Sequence, residues 1–294
     1  MKVLITGSNG LLGQKISDIF IKEKVDFLAT GRGPSRNPKE GIVYLELDIT
    51  GIDFSVIREF KPTVVINTAA MTNVDQCETE QEACLELNVR SVEKLVTVCN
   101  EIGAQFIHLS TDFIFDGTKS MYTETDEPKP LSFYGNSKLL AEKHIQSHSE
   151  KYSIIRTVLV YGIVADMSRT NIVLWAKGAL EKKQEIKVVN DQFRTPTLAE
   201  DLAMGCYLIA DHGAEGIYHI SGKDYMSIYE LVERVAKHYN LSMENVSTST
   251  SDSLNQAAKR PPITGLDISK AQQKLGYHPH SFEEGLGVLD GQMI

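Results

Sequence analysis

The run Lys2-Val-Leu-Ile-Thr6, followed at once by Gly7-Ser-Asn-Gly10-Leu-Leu-Gly13 and a helix-periodic stretch, leaves few folds open to this chain. Lys2 to Thr6 is apolar without alternation, as in a parallel strand covered on both faces. In Gln14 to Lys22, Ile16, Ile19 and Phe20 recur at helical spacing. Glycines between such a strand and helix let the backbone approach a pyrophosphate, and the helix N-terminus presents N–H groups without partners. Gly13 lets helix and strand pack closely. The spacing G-x-x-G-x-x-G is a relative of the dinucleotide fingerprint, although a structural turn can carry the same letters. The alternation then repeats. Asp26 to Thr30, Val43 to Leu47, Pro62 to Ala70, Phe106 to Leu109 and Ser153 to Gly162 read as strands. Helical runs separate several of them, including an acidic helix from about Thr79 to Ile102 that contains Asn88. This order predicts an α/β fold: a Rossmann-like, doubly wound parallel sheet with right-handed crossovers.

Beyond Gly162 the pattern loosens. Asn171 to Lys182 reads as helix, Ile186 to Val189 as strand, Asp191 to Thr197 as polar loop, Ala199 to His212 as helix and Gly216 to Ser221 as strand. Ser227 to Tyr239 reads as a helix with Ser227 as its cap and Glu230 completing a capping box. Asn245 to Pro262 is polar, either a floppy loop or a lid whose Lys259 and Arg260 meet phosphates. The expected division is a dinucleotide-binding domain over 1–162 and a smaller substrate-binding lobe over 163–294, with about 190–222 returning to the first.

A formal net charge of -9 argues against a general binder of nucleic acid or of anionic membranes. Cys77, Cys84, Cys99 and Cys206 have neither metal-ligand nor disulfide-scaffold spacing and read as reduced structural thiols, so no metal site is expected. The apolar run at Met1 is too short for a signal peptide, and no run suits a membrane span, so the expected location is cytoplasmic. Leu85, Val89, Val92 and Val96 suit a core or a partner equally, which leaves a homodimer open.

Chemistry is concentrated in Leu109-Ser-Thr111-Asp112 and in Ser132-Phe-Tyr134-Gly-Asn-Ser-Lys138. Four residues apart on a helix capped by Ser132, Tyr134 and Lys138 share one face and can act on one bound molecule. A phenol has an unperturbed pKa of about 10, and a nearby ammonium brings it down towards the working pH. Thr111 can donate to the same substrate oxygen. Alone, the pair also fits a surface Tyr beside a surface Lys. Where NAD-binding units carry an acid after the second strand, this chain has Gly31 and Arg32, which favours NADPH over NADH.

Taken in order, Thr6 to Gly13, Asn67-Thr-Ala-Ala70-Met-Thr-Asn-Val-Asp75, Ser110-Thr111-Asp112 through Gly117, Tyr134 to Glu142, Asp191-Gln-Phe-Arg194-Thr-Pro196 through Asp201, Arg260-Pro261 and Leu266-Asp267 form an ordered set. With it the chain, from Lys2 to about Leu286, resembles the extended short-chain dehydrogenase/reductases of the dTDP-4-dehydrorhamnose reductase group. The resemblance implies Thr111, Tyr134 and Lys138 as the catalytic set, with Tyr134 as proton donor and Lys138 also on the nicotinamide ribose. Cofactor contacts are expected from Gly7, Asn9, Gly10, Leu11, Leu12, Gly13, Arg32, Asp48, Ile49, Ala69 and Ala70. Substrate contacts are expected from Thr111, Asp112, Asn73, Lys259 and Arg260. The implied reaction is NADPH-dependent reduction of a 4-keto sugar nucleotide, dTDP-4-dehydrorhamnose first. Phe113 stands where the group usually has tyrosine and Leu159 where tryptophan is common, and Gly162 to Asn171 lacks the usual Asn-Phe pairing. These departures bear on the substrate. An epimerase or dehydratase on the same scaffold, and an NADP-binding regulatory subunit such as the β subunit of methionine adenosyltransferase, stay open.

Overall fold

A computed structural model describes residues 1–165, 170–253 and 256–293. Residues 166–169 of the Gly162 to Asn171 departure, and 254 and 255 of the polar segment, lie outside the described residues. In chain order the first part runs β1 (Lys2–Thr6), α1 (Leu11–Lys22), β2 (Asp26–Gly31), β3 (Tyr44–Glu46), α2 (Ser55–Phe60), β4 (Val64–Asn67), α3 (Val74–Thr79), α4 (Gln81–Leu85) and α5 (Ser91–Ile102). It continues through β5 (Gln105–Thr111), β6 (Met121–Tyr122), α6 (Phe133–His148), β7 (Tyr152–Thr157) and β8 (Val160–Tyr161). Then follow α7 (Ile172–Glu181), β9 (Ile186–Val189), β10 (Phe193–Arg194), β11 (Thr197–Leu198), α8 (Ala199–Asp211), β12 (Gly216–His219) and β13 (Met226–Ser227). The last elements are α9 (Ile228–His238), β14 (Val246–Ser249), β15 (Ile263–Leu266), α10 (Ser269–Leu275) and α11 (Phe282–Asp290).

Seven strands form the main sheet in the order β12-β7-β5-β4-β1-β2-β3, and every pairing in it is parallel. The chain moves outward from β1 to β3, then restarts at β4 on the other side of β1. The carboxyl ends of strands at such a reversal leave a crevice for a ligand. The apolar run of β1 has no alternation because both faces are covered. Val3 and Ile5 pack with Phe20 of α1 and Leu202, Cys206 and Ile209 of α8. Leu4 points the other way, to Phe106 and to Val92, Leu95 and Val96 of α5. Val92 and Val96 are thus used by the core. A separate apolar cluster joins Val173 and Leu180 of α7, Leu231 and Val235 of α9, and Leu286 and Leu289 of α11. Among the described residues, no helix is long and apolar enough to cross a membrane.

Several local readings change, among them Asp191 to Thr197, which carries β10 and the start of β11. The helix expected from Thr79 to Ile102 is divided into α4 and α5, with a π-helical turn at Glu86–Arg90 between them, and α3 precedes it where a loop was expected. That turn carries Asn88 inward, where its amide clamps the Met71 backbone through Met71 N (2.8 Å) and Met71 O (3.0 Å). The sixth strand is broken: Leu159 adopts φ +39°, and β8 leaves the main sheet to pair with β11. In the polar segment, Val246 to Ser249 forms β14, parallel to β9. At Ser227 only half of the capping box exists, because the Glu230 carboxylate binds Arg234 at 2.7 Å; Ser281 and Glu284 make a complete one.

Candidate active site

Two glycines of the turn leave no room for a side chain. Gly7 has φ +70°, and a Cβ there would lie 2.7 Å from Ala69 N; one on Gly13 would lie 2.5 Å from Ser8 Cα. Turn, helix and the exit of β4 therefore touch backbone to backbone. Asn9 ties down the neighbouring loop: its Nδ2 donates to Pro34 O (3.0 Å) and to Tyr44 Oη (3.1 Å), and its Oδ1 accepts from Arg36 N (2.9 Å). Arg32 follows β2 with its side chain exposed. Asp48 accepts from the Thr50 hydroxyl and backbone N–H, which with the charge of Arg32 hold its carboxyl below the usual range. The Ile49 side chain packs in the core.

A cavity of about 680 Å³ opens at the switch point. Gly10, Leu11 and Leu12 form one wall, Thr68 and Ala70 another, and Ser110 to Phe113 a third; Tyr134, Lys138, Leu159, Arg194 and Arg260 complete it. Ser132 caps α6 by accepting from Gly135 N at 3.2 Å. That start sets Tyr134 and Lys138 on the buried face, 8% and 2% exposed. The expected lowering of the phenol is not found. Burial raises the Tyr134 pKa and outweighs a hydrogen bond with Thr111, so the tyrosine rests protonated. Burial pushes Lys138 down to about 8, against the attraction of Glu142.

Behind Lys138 lies a polar row through the sheet. Lys138 Nζ is 2.9 Å from His108 Nε2, and His108 Nδ1 is 3.1 Å from Asn67 Nδ2. Burial, then the Lys138 charge, holds His108 well below its ordinary pKa. Beside Tyr134, Thr111 Oγ1 donates to Asp112 Oδ1 (3.1 Å) and accepts from Phe113 N (3.2 Å). The Asp112 carboxylate also accepts from the Thr264 hydroxyl and faces Arg194 Nε at 3.6 Å. Burial raises the Asp112 carboxyl despite Arg194, and lowers Arg194 despite Asp112. For both partners desolvation therefore exceeds the pairing.

The structure brings together the glycine turn, Ala70, Thr111, Asp112, Tyr134, Lys138 and Arg260. It does not bring in two of the expected substrate contacts. Asn73 turns its carbonyl oxygen to Gln76 N (3.1 Å) as the cap of α3. Lys259 is exposed and off the cavity wall, whereas its neighbour Arg260 is fixed on that wall by Asp75, 2.6 Å from Arg260 Nη2. Sequence reasoning missed Arg194, whose Nη atoms also hold Phe193 O, Pro261 O and Pro262 O. It also missed the roles of Asn67 and His108; the available signal was a polar residue inside each of two buried apolar strands. A dinucleotide fits this setting. Gly7 and Gly13 leave no space for a Cβ, and among the described residues the buried hydroxyls of Ser8 and Ser110 have no hydrogen-bond partner.

The sequence model of the RmlD substrate binding domain family matches residues 1–290. A dTDP-4-dehydrorhamnose reductase of Aggregatibacter actinomycetemcomitans is 33% identical over 97% of this chain and 97% of its own. The methionine adenosyltransferase 2 subunit beta of Rattus norvegicus is 32% identical over 92% of this chain and 81% of its own. Among solved structures, the dTDP-4-dehydrorhamnose reductase from Bacillus anthracis in complex with NADP gives a TM-score of 0.87 at 28% identity, covering 99% of this chain and 100% of that one.

Proposed function

Because the chain belongs to the RmlD substrate binding domain family, we propose that it is an NADPH-dependent reductase of a 4-keto sugar nucleotide, with dTDP-4-dehydrorhamnose as the first substrate to test. The observation that carries this reading is the buried Tyr134, Lys138 and Thr111 set on one cavity with the glycine turn. The Gly7 to Gly13 turn and the start of α1 suit the pyrophosphate, Arg32 the 2'-phosphate, and Lys138 the ribose hydroxyls of the cofactor. When bound, that cofactor supplies the hydride.

The chain's own residues manage the proton. Tyr134, kept protonated by burial, donates from Oη to the ketone oxygen as negative charge develops there. Thr111 adds a second donor to the same oxygen by turning its hydroxyl from Asp112. The Asp112, Thr264 and Arg194 contacts keep Thr111 in place on the cavity wall. Arg260, fixed by Asp75, supplies a cation for the substrate diphosphate.

A regulatory NADP-binding role is the second reading, favoured by the likeness to the rat β subunit; the complete Tyr134, Lys138 and Thr111 set supports the enzyme instead. The test is NADPH oxidation, followed at the nicotinamide absorbance, against a panel of 4-keto sugar nucleotides. Oxidation that disappears in Tyr134→Phe, with NADPH affinity retained, is the expected result. Tight NADPH binding with no oxidation on any member of the panel would favour the regulatory reading.

A further inference from the structure

Lys138 Nζ and His108 Nε2 are 2.9 Å apart in a buried setting, and the identity of the donor is decided two contacts away. The backbone N–H of Ala69 points at Asn67 Oδ1 (3.3 Å), and Thr6 Oγ1 lies 2.6 Å from the same atom. A backbone N–H only donates, so the carbonyl end of the Asn67 carboxamide must lie on this side. Its NH₂ end therefore faces His108 Nδ1, at 3.1 Å, and that nitrogen accepts. An imidazole that accepts at Nδ1 carries its proton on Nε2 and is neutral. The Nε2–H then points at Nζ, and Nζ can complete the bond only as an amine with a free lone pair. An ammonium there would meet the Nε2–H head on.

We propose that His108 is a positioning residue that governs the proton on Lys138: the tautomer of the imidazole and the charge of the lysine change together, as one unit. In the arrangement of this structure, His108 carries Nε2–H and Lys138 is an amine. In the alternative, the Asn67 carboxamide has turned over, His108 carries Nδ1–H, and its Nε2 accepts from the Lys138 ammonium. The imidazole holds one proton in both states, so the exchange takes up a single proton from solvent, which ends on Nζ. The Ala69 N–H opposes the turned carboxamide, since it would then face an NH₂ group, and so it favours the amine.

The inference rests on the reading of Lys138 as part of the reaction machinery. An uncharged Lys138 leaves Tyr134 without a cation one helical turn away and therefore a weaker acid, whereas the ammonium makes the phenol the readier proton donor. The other groups facing Lys138 are Glu142 on α6, itself bound to Arg156 of β7 at 2.7 Å, and Cys84 on α4. Glu142 draws a proton towards Lys138, and burial opposes it. The Nε2–H bond adds to the burial, because it stabilises the amine alone.

Two-bond proton–nitrogen spectra of the cofactor-free protein, with ¹⁵N-labelled histidine and lysine, read both groups without any turnover. The expected result is an Nε2–H tautomer at about pH 9, converting to Nδ1–H on acidification at the midpoint where Lys138 gains its charge. In His108→Gln, whose amide can present either end, the Lys138 midpoint should rise by about one pH unit. An Nδ1–H tautomer at alkaline pH, or a tautomer that ignores the Lys138 titration, would overturn the proposal in the wild-type protein alone. So would an unmoved Lys138 midpoint in a folded His108→Gln. The pH profile of kcat/KM separates the two readings: if tautomer and lysine titrate together but the profile does not follow them, the coupling stands and the role of Lys138 in the reaction fails.

Discussion

Replacing Arg194 by Met tests how the cavity wall is held together. The guanidinium is 4% exposed at its side chain and faces Asp112, 2% exposed as a residue, at 3.6 Å. It also donates to Phe193 O (2.8 Å), Pro262 O (3.0 Å) and Pro261 O (2.7 Å). Arg194→Met keeps an apolar stem but leaves Asp112 without its cationic partner and removes the side-chain donor from three carbonyls. Breaking a buried pair from one side costs about 3–5 kcal/mol. For a chain of this size that corresponds to a fall in Tm of roughly 6–10 °C. The loss depends on pH in a definite direction. Burial already holds the Asp112 carboxyl above its ordinary 3.8, and removing Arg194, the opposing influence, raises it further. An acid whose pKa is raised by folding contributes stability below its unfolded value and loses it as pH rises through the folded value. The deficit of Arg194→Met should therefore be smallest in acid and widen towards neutrality. Thermal or urea unfolding of wild type, Arg194→Met, Asp112→Asn and the double variant at several pH values measures it. The double variant should recover much of the loss, because no unpaired carboxylate remains. A deficit below about 1 kcal/mol, or one that does not change with pH, would refute the assignment of Arg194 as counter-ion to Asp112.

Other perturbations address separate parts of the site. Arg32→Ala should weaken NADPH roughly tenfold and leave NADH nearly unchanged in fluorescence titrations; equal losses for both would remove Arg32 from the 2'-phosphate. Gly13→Ala places a Cβ 2.5 Å from Ser8 Cα and 2.7 Å from Gly7 O, both backbone atoms, so α1 must shift from the turn. Despite the better helix propensity of alanine, a loss of about 1–3 kcal/mol is expected, with weakened cofactor binding, and unchanged values for both would contradict the close packing. Arg260→Ala should raise the sugar-nucleotide KM roughly tenfold, while Lys259→Ala leaves it within about twofold. Similar effects from the two would mean that Arg260 is not the selected cation.

What was legible in this sequence was local. The Lys2 to Gly13 unit and the Ser132, Tyr134, Lys138 unit each place their functional groups through contacts of a few residues, which periodicity, capping and glycine spacing describe directly. Leu159 at φ +39° and the π turn around Asn88 have no such local cause. The first follows from β8 pairing with β11, the second from the Met71 backbone that Asn88 clamps. Arg194 is distant in sequence from Asp112 and read as part of a polar loop, while Lys259 and Arg260 looked equivalent until Asp75 distinguished them. His108 is the instructive case. Asn67 and His108 lie directly opposite each other in the register of β4 and β5, and each is 1% exposed within a strand of buried residues. A polar side chain in such a strand needs a partner, so the pair was a recognisable anomaly once the strands were aligned. Single residues could not reveal it, because it depends on which strand lies beside which. The same argument explains why the proton on Lys138 is invisible from its own helix: its partner is His108 on β5, and the tautomer of His108 is set by Asn67 on β4 and by the backbone of Ala69 beyond it.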